Sequence, residues 1–180
     1  MQFISSSLSG LFVILPNVFE DARGYLFESY NKEVFIRHGI TDEFVQDNQS
    51  FSQKDVLRGL HFQNAPYSQA KLVRVIQGAV LDVAVDIRKK SSTYGKYFSE
   101  ILSAKNKTML FIPVGFAHGF LVLENNTIFS YKCSNIYDKE SEDGILWNDT
   151  DLNIKWGIKN PVLSEKDKSA KRFRDFESRF

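Results

Sequence analysis

The chain has 180 residues, 43% hydrophobic and 14% aromatic, which suits one globular domain over residues 1–180 that can bury a core without disulfide or metal staples. Its 23 basic residues are balanced by 22 acidic ones, so the global field that steers proteins onto nucleic acid or anionic lipid is missing, and an anionic ligand must be gripped locally. One cysteine, Cys133, cannot close an internal disulfide; it reads as a small buried hydrophobe, nothing demands an oxidising compartment, and a cytoplasmic protein is expected.

The opening stretch has no basic segment, and its apolar run at 11–15 is too short for a signal peptide or a membrane span. From there to Cys133, short runs rich in Val, Ile, Phe and Tyr recur with turn residues about every ten positions, the pattern of an all-β sandwich or barrel. Strands are predicted near 11–15, 25–30, 43–47, 56–62, 71–77, 79–88, 97–102, 108–112, 120–123 and 128–133. Between the second and third, Asn31 can cap a helix over 32–38 that Gly39 stops, and His38 in its last turn suits the helix dipole without a functional role. The clearest strand is Leu81-Asp82-Val83-Ala84-Val85-Asp86-Ile87-Arg88, whose aliphatics alternate with smaller or charged residues. One face is predicted as core and the other as polar, with Asp82 and Asp86 expected to see solvent rather than a wet interior. Near the C-terminal end, Ser164-Glu165-Lys166-Asp167 resembles a capping box with Asp in the third position.

Three histidines are present, and two of them lie in settings unlike ordinary surface positions. His61 and His118 each sit in an aromatic, strand-like stretch, where a polar ring must find a partner whether it is a working group or a satisfied core histidine. A metal site would need more: position 63 is Gln where a common metal-binding pattern has a second histidine, and no glutamate follows soon after. Nucleophilic catalysis lacks a Gly-x-Ser-x-Gly elbow and a basic neighbour for Cys133, and there is no phosphate loop or dinucleotide fingerprint. Acid and base work by His61 remains, with Lys71, Arg58, Tyr131 and carboxylates as candidate partners. Taken one at a time, Lys71 equally suits a solvated strand start, Tyr131 a core tyrosine, Asp167 a helix cap, and Arg23 and Arg58, each before a glycine, a turn.

Together, Asp21-Ala22-Arg23-Gly24-Tyr25-Leu26-Phe27-Glu28, Gln46-Asp47-Asn48, Leu57-Arg58-Gly59-Leu60-His61-Phe62-Gln63, Gln69-Ala70-Lys71-Leu72-Val73, the run at 82–88, the stretch 113–120, Tyr131-Lys132-Cys133 with Tyr137, Trp147-Asn148-Asp149 and Leu163-Ser164-Glu165-Lys166-Asp167 resemble the dTDP-4-dehydrorhamnose 3,5-epimerase family over nearly the whole chain. The resemblance implies a cupin-type jelly roll, mainly antiparallel β with a few short helices. It also implies a homodimer with no metal and no organic cofactor, acting on dTDP-4-dehydro-6-deoxy-D-glucose in dTDP-L-rhamnose biosynthesis. It makes His61 the general base, Asp167 its orienting partner, Tyr131 the acid on the opposite face of the sugar and Lys71 the stabiliser of the oxygen at C4. Arg23 and Arg58 would lie near the diphosphate and Tyr137 on thymine, with Phe27, Glu28, Gln46, Asp47, Asn48, His118, Glu142 and Lys166 as further substrate contacts.

Strict alternation puts Arg58 and His61, three apart, on opposite faces of a strand, whereas the resemblance puts both at the site; a bulge or bend at Gly59 would reconcile them. Inversion at only C3 or C5, or action on another nucleotide-linked 4-keto sugar, is the alternative activity. A non-catalytic sugar-binding cupin and a metal-dependent cupin enzyme are the alternatives from other classes.

Overall fold

A computed structural model describes residues 1–180 throughout. Six strands form one antiparallel sheet: β1 (Gln2–Ser5), β2 (Phe12–Leu15), β10 (Met109–Ile112), β7 (Lys71–Gln77), β12 (Thr127–Cys133) and β5 (Gln46–Ser52), in that spatial order. Five form the other: β13 (Glu142–Gly144), β6 (Leu57–Gln63), β11 (Phe116–Val122), β8 (Ala79–Asp86) and β9 (Tyr97–Ser103). β3 (Val18–Asp21) and β4 (Gly24–Phe27) pair only with each other. The result is a jelly roll of two facing sheets rather than a cylinder closed by hydrogen bonds.

The alternation along β8 sorts its side chains differently from expectation. Val80 and Ala84 face inward and pack with Val73, Val75, Phe120 and Phe129 between the sheets. The aliphatic set Val83, Val85 and Ile87 instead points out of the sandwich, where Trp147, Trp156 and Phe176 from the C-terminal third cover it. Both faces of the sheet are therefore buried, and Asp82 and Asp86 are each 0% exposed, not solvated as predicted. Asp86 survives burial because Arg88, Ser91 and Thr93 all donate to its carboxylate, at 2.6 to 2.9 Å, and pin the turn that ends β8.

α1 (Lys32–Arg37) begins at Asn31, whose side chain accepts from the N–H groups of Glu33 and Val34, and it buries Phe35 against Ile14, Leu72 and Met109 on the outside of the first sheet. His38 accompanies it structurally, its Nδ1 2.8 Å from the Val34 carbonyl. Two strands are displaced from their predicted positions. β5 lies at Gln46–Ser52 rather than 43–47, because its ladder with β12, from Cys133↔Gln46 to Thr127↔Ser52, overrides the weak strand preference of Asp, Asn, Gln and Ser. β11 starts at Phe116 instead of 120 since both its edges are paired, with β6 and β8, through the residues around His118 and Gly119. The short β1, β3 and β13 were not anticipated. No helix is long and apolar enough to cross a membrane.

Candidate active site

Between the sheets lies a cavity of about 470 Å³. His61 and His118 reach it from β6 and β11, while Lys71 and Tyr131 reach it from β7 and β12 in the opposite sheet. Arg58, Lys166 and Asp167 add charged groups to its lining, and Ser50 and Ser164 add hydroxyls.

Arg58 and His61 share the cavity because β6 is irregular. His118 pairs with His61 and Phe120 with Arg58, so two steps along β11 match three along β6. The extra residue is accommodated at Gly59, whose φ is 127°, and the Gly59–Leu60 peptide is cis. A Cβ on Gly59 would meet the Gly119 Cα at 2.5 Å and the His118 carbonyl oxygen at 2.8 Å, so the bulge needs glycine.

α2 (Glu165–Lys168) supplies the partner of His61. The Ser164 hydroxyl caps the helix by accepting from the Asp167 N–H at 3.1 Å, which leaves the Asp167 side chain free of the capping role its sequence suggested. That carboxylate, 3% exposed, sits with Oδ1 2.5 Å from His61 Nε2. Burial alone would push its pKa up, but the hydrogen bond and charge of His61, with further donors from Ser164 and Gly59, hold it below the usual carboxylate value. An ionised acceptor keeps the hydrogen on Nε2, so Nδ1 carries the lone pair, and no protein group bonds to it.

Lys71 on the opposite wall forms no ion pair, and burial draws its ammonium below the ordinary lysine value against the pull of Cys133, Asp82 and Glu142. Its Nζ lies 5.8 Å from the Tyr131 ring centroid. The Tyr131 hydroxyl has no partner; burial pushes its pKa up, Cys133 and Glu142 add to that, and Arg58 pulls it back. At neutral pH it stays protonated and can give a proton. A base on one wall and an acid on the other, with a cation beside the acid, form the arrangement that moves protons on opposite faces of one ligand.

His118 is held differently: its Nε2 lies 2.9 and 3.1 Å from the two oxygens of Asp82. Burial lowers its pKa, with Asp82 opposing. In an adjoining recess of about 130 Å³, Gln46 and Asn48 face His61 and Lys71. Gln46 accepts from the Tyr137 N–H at 2.8 Å, and Glu142 Oε2 receives both the Tyr137 hydroxyl at 2.9 Å and the Lys166 ammonium at 2.5 Å. No group of three or more His, Cys, Asp and Glu side chains is arranged to hold a metal ion.

Four expected contacts are not at this cavity. Asp47 alternates outward from β5 and pairs with Lys132 at 2.9 Å on the outer face of the sheet. Arg23, Phe27 and Glu28 belong to the β3–β4 hairpin and the residue after it. Arg23 is paired with Asp21 and its side chain is 89% exposed, Phe27 stacks on Tyr25, and Glu28 accepts from Asn31. Strand alternation explains the first case, and a hairpin hydrogen-bonded to neither sheet, its Phe27 ring against Arg74 on the outer face of β7, explains the others. Asp82 was expected in solvent rather than in the interior, and Ser50 and Ser52 went unnoticed as site residues. Their signal was period two: Gln46, Asn48, Ser50 and Ser52 lie on one face only if the strand is extended past 47.

The chain matches a family model described as dTDP-4-dehydrorhamnose 3,5-epimerase over residues 5–175. It is 51% identical over 176 residues, 97% of each chain, to the dTDP-4-dehydrorhamnose 3,5-epimerase of Shigella flexneri. Among solved structures it resembles the dTDP-6-deoxy-D-glucose-3,5-epimerase of Legionella pneumophila in complex with dTDP-4-keto-L-rhamnose, with TM-score 0.94, 46% identity and coverage of 98% of this chain and 94% of that one. A 3'-monoepimerase from Streptomyces bikiniensis, in complex with dTDP-quinovose, has TM-score 0.87 and 31% identity, covering 93% of this chain and 85% of that one.

Proposed function

The chain belongs to the dTDP-4-dehydrorhamnose 3,5-epimerase family, and on that premise we propose that His61 and Tyr131 carry out its reaction from opposite walls of the cavity. The enzyme converts dTDP-4-dehydro-6-deoxy-D-glucose to dTDP-4-dehydro-L-rhamnose by inversion at C3 and C5. The C4 ketone acidifies the hydrogens on both neighbouring carbons. His61 Nδ1 takes the proton, the electron pair moves onto the C4 oxygen as an enolate, and the Lys71 ammonium stabilises that charge. Tyr131 returns a proton to the carbon from the other face, which inverts it; the imidazolium then loses its proton to solvent and the phenolate takes one up, which resets both groups for the second carbon. A donor aimed at a developing oxyanion is worth about 3–4 kcal/mol, and each positioned acid or base about 10²–10⁴-fold.

The observation that carries this reading is the placement of the His61–Asp167 pair and the unpartnered Tyr131 hydroxyl on facing sheets. Arg58 grips the diphosphate, Tyr137 stacks on the base, and Gln46, Asn48, His118, Glu142 and Lys166 orient sugar and base. Residues 1–180 act as one catalytic unit with no metal or organic cofactor. The working form is a homodimer: Phe19 and Leu26, 67% and 74% exposed on a hairpin that no other strand pairs with, would be covered by a second copy. In that dimer Arg23, Phe27 and Glu28 serve the partner's cavity, and Asp47 braces Lys132 behind Tyr131. One unpaired cysteine fits the cytoplasm.

Incubation with the dTDP-4-keto sugar in deuterated water tests the reading. Wild type is expected to place deuterium at both C3 and C5, and label at one carbon alone would make it a mono-epimerase. Tyr131→Phe should still exchange a proton through His61 while losing inverted product; full turnover by that variant would remove Tyr131 as the acid.

A further inference from the structure

Ser52, at the end of β5, is the last of the four inward polar residues of that strand and is 5% exposed. Its Oγ accepts from Arg58 Nε at 3.3 Å and from Nη2 at 3.2 Å, which occupies both lone pairs with one edge of the guanidinium. The contact crosses from the six-stranded sheet to β6 in the five-stranded one. Arg58 is otherwise exposed, and a long exposed arginine samples many rotamers. A neutral hydroxyl orients that side chain without cancelling its charge, as an Asp or Glu in the same place would. The unoccupied Nη1 edge then remains for two oxygens of an anion.

We propose that Ser52 is a positioning residue that fixes Arg58 for the substrate's diphosphate, an inference that rests on the reading of Arg58 as the diphosphate grip. Holding the guanidinium in place before the ligand arrives removes an ordering cost from binding. It also keeps a positive charge near Tyr131, whose pKa Arg58 pulls down against burial. A misplaced Arg58 should therefore let the Tyr131 hydroxyl rise, and the alkaline limb of the kcat profile should move to higher pH.

Ser52→Ala, Ser52→Thr, Ser52→Cys and Arg58→Ala, assayed in the full-length protein, test this. Ser52→Ala is expected to raise KM for the dTDP-sugar and Kd for dTDP about tenfold, the loss of a hydrogen bond to a charged group, with a smaller change in kcat. Thymidine, which lacks the diphosphate, should bind the variant and wild type alike. Ser52→Thr, which keeps the hydroxyl, should restore dTDP binding, and Ser52→Cys, a weak acceptor of similar size, should behave like Ser52→Ala. If dTDP binds Ser52→Ala as tightly as wild type while Arg58→Ala weakens it, the positioning role is wrong and the grip stands. Normal dTDP binding by Arg58→Ala overturns the grip and the inference with it. Should Ser52→Ala melt at assay temperature, Ser52→Cys decides by the same criteria.

Discussion

Replacing Asp167 by Asn keeps the side chain's size and removes its charge. In the native protein Oδ1 lies 2.5 Å from His61 Nε2 and the carboxylate is 3% exposed, so no water competes for that contact. An ionised acceptor requires hydrogen on Nε2 and leaves Nδ1 as the base. An amide can present its N–H group to Nε2, which stabilises the other tautomer and puts hydrogen on the nitrogen that should take the substrate's proton. The imidazolium formed after proton abstraction also loses its counter-charge. A positioned base contributes about 10²–10⁴-fold, so kcat is expected to fall about 10³-fold, roughly 4 kcal/mol at 1.36 kcal/mol per decade. Stability should change by only about 1 kcal/mol, because an amide still hydrogen-bonds there and no longer bears the desolvation of a buried charge. Deuterium incorporation at C3 and C5, followed by proton NMR alongside a denaturant titration, separates the two effects. A variant that exchanges within about fivefold of the wild-type rate would refute the tautomer argument.

Three further outcomes are expected. Lys71→Met should lower kcat about 10²–10³-fold, and denaturant titration should find it more stable than wild type at neutral pH. Burial lowers the Lys71 pKa, so the unfolded chain binds more protons; wild type gains stability as pH rises toward the unfolded lysine value, and the variant's advantage shrinks there. Gly59→Ala combines a left-handed φ with a Cβ 2.5 Å from Gly119 Cα, and should cost about 2–5 kcal/mol in chemical denaturation; a loss under 1 kcal/mol would mean that the β6–β11 contact yields easily. Asp86 is desolvated, but its Arg88, Ser91 and Thr93 partners bring its pKa from 3.8 down to about 2. Its contribution, about 2 kcal/mol, is complete above pH 4 and is lost as pH falls through the folded value. Asp86→Asn should therefore show a flatter stability profile between pH 4 and 2, and an unchanged slope would deny the pairing.

Much of the fold is legible along the chain because a strand announces itself by period two. β7, from Lys71 to Gln77, falls where its residues predict it. The errors cluster where pairing outweighs composition, as in β5, whose Gln, Asn and Ser residues are extended only because β12 lies beside them. The candidate site is mixed in the same way. Individual residues suggested core or surface roles for Lys71, Tyr131 and Asp167, and the resemblance of many motifs in order supplied their functional reading. Nothing local could pair Asp82 with His118, since that contact spans 36 positions and two neighbouring strands.

By itself, then, the sequence determined a β-rich chain, the absence of a dominant net charge and the residue types available for acid and base work, all properties that depend on neighbours in the chain. Only the tertiary structure decided which face of β8 is interior, because the sidedness of a strand depends on what covers it, and the tryptophans of the C-terminal third cover the aliphatic face. It also decided that Asp167 meets His61 across 106 positions. The bulge at Gly59 turns Arg58 into the same cavity, within reach of Ser52 on the opposite sheet. Such meetings are set by the packing of two sheets, and spacing along the chain carries no record of them.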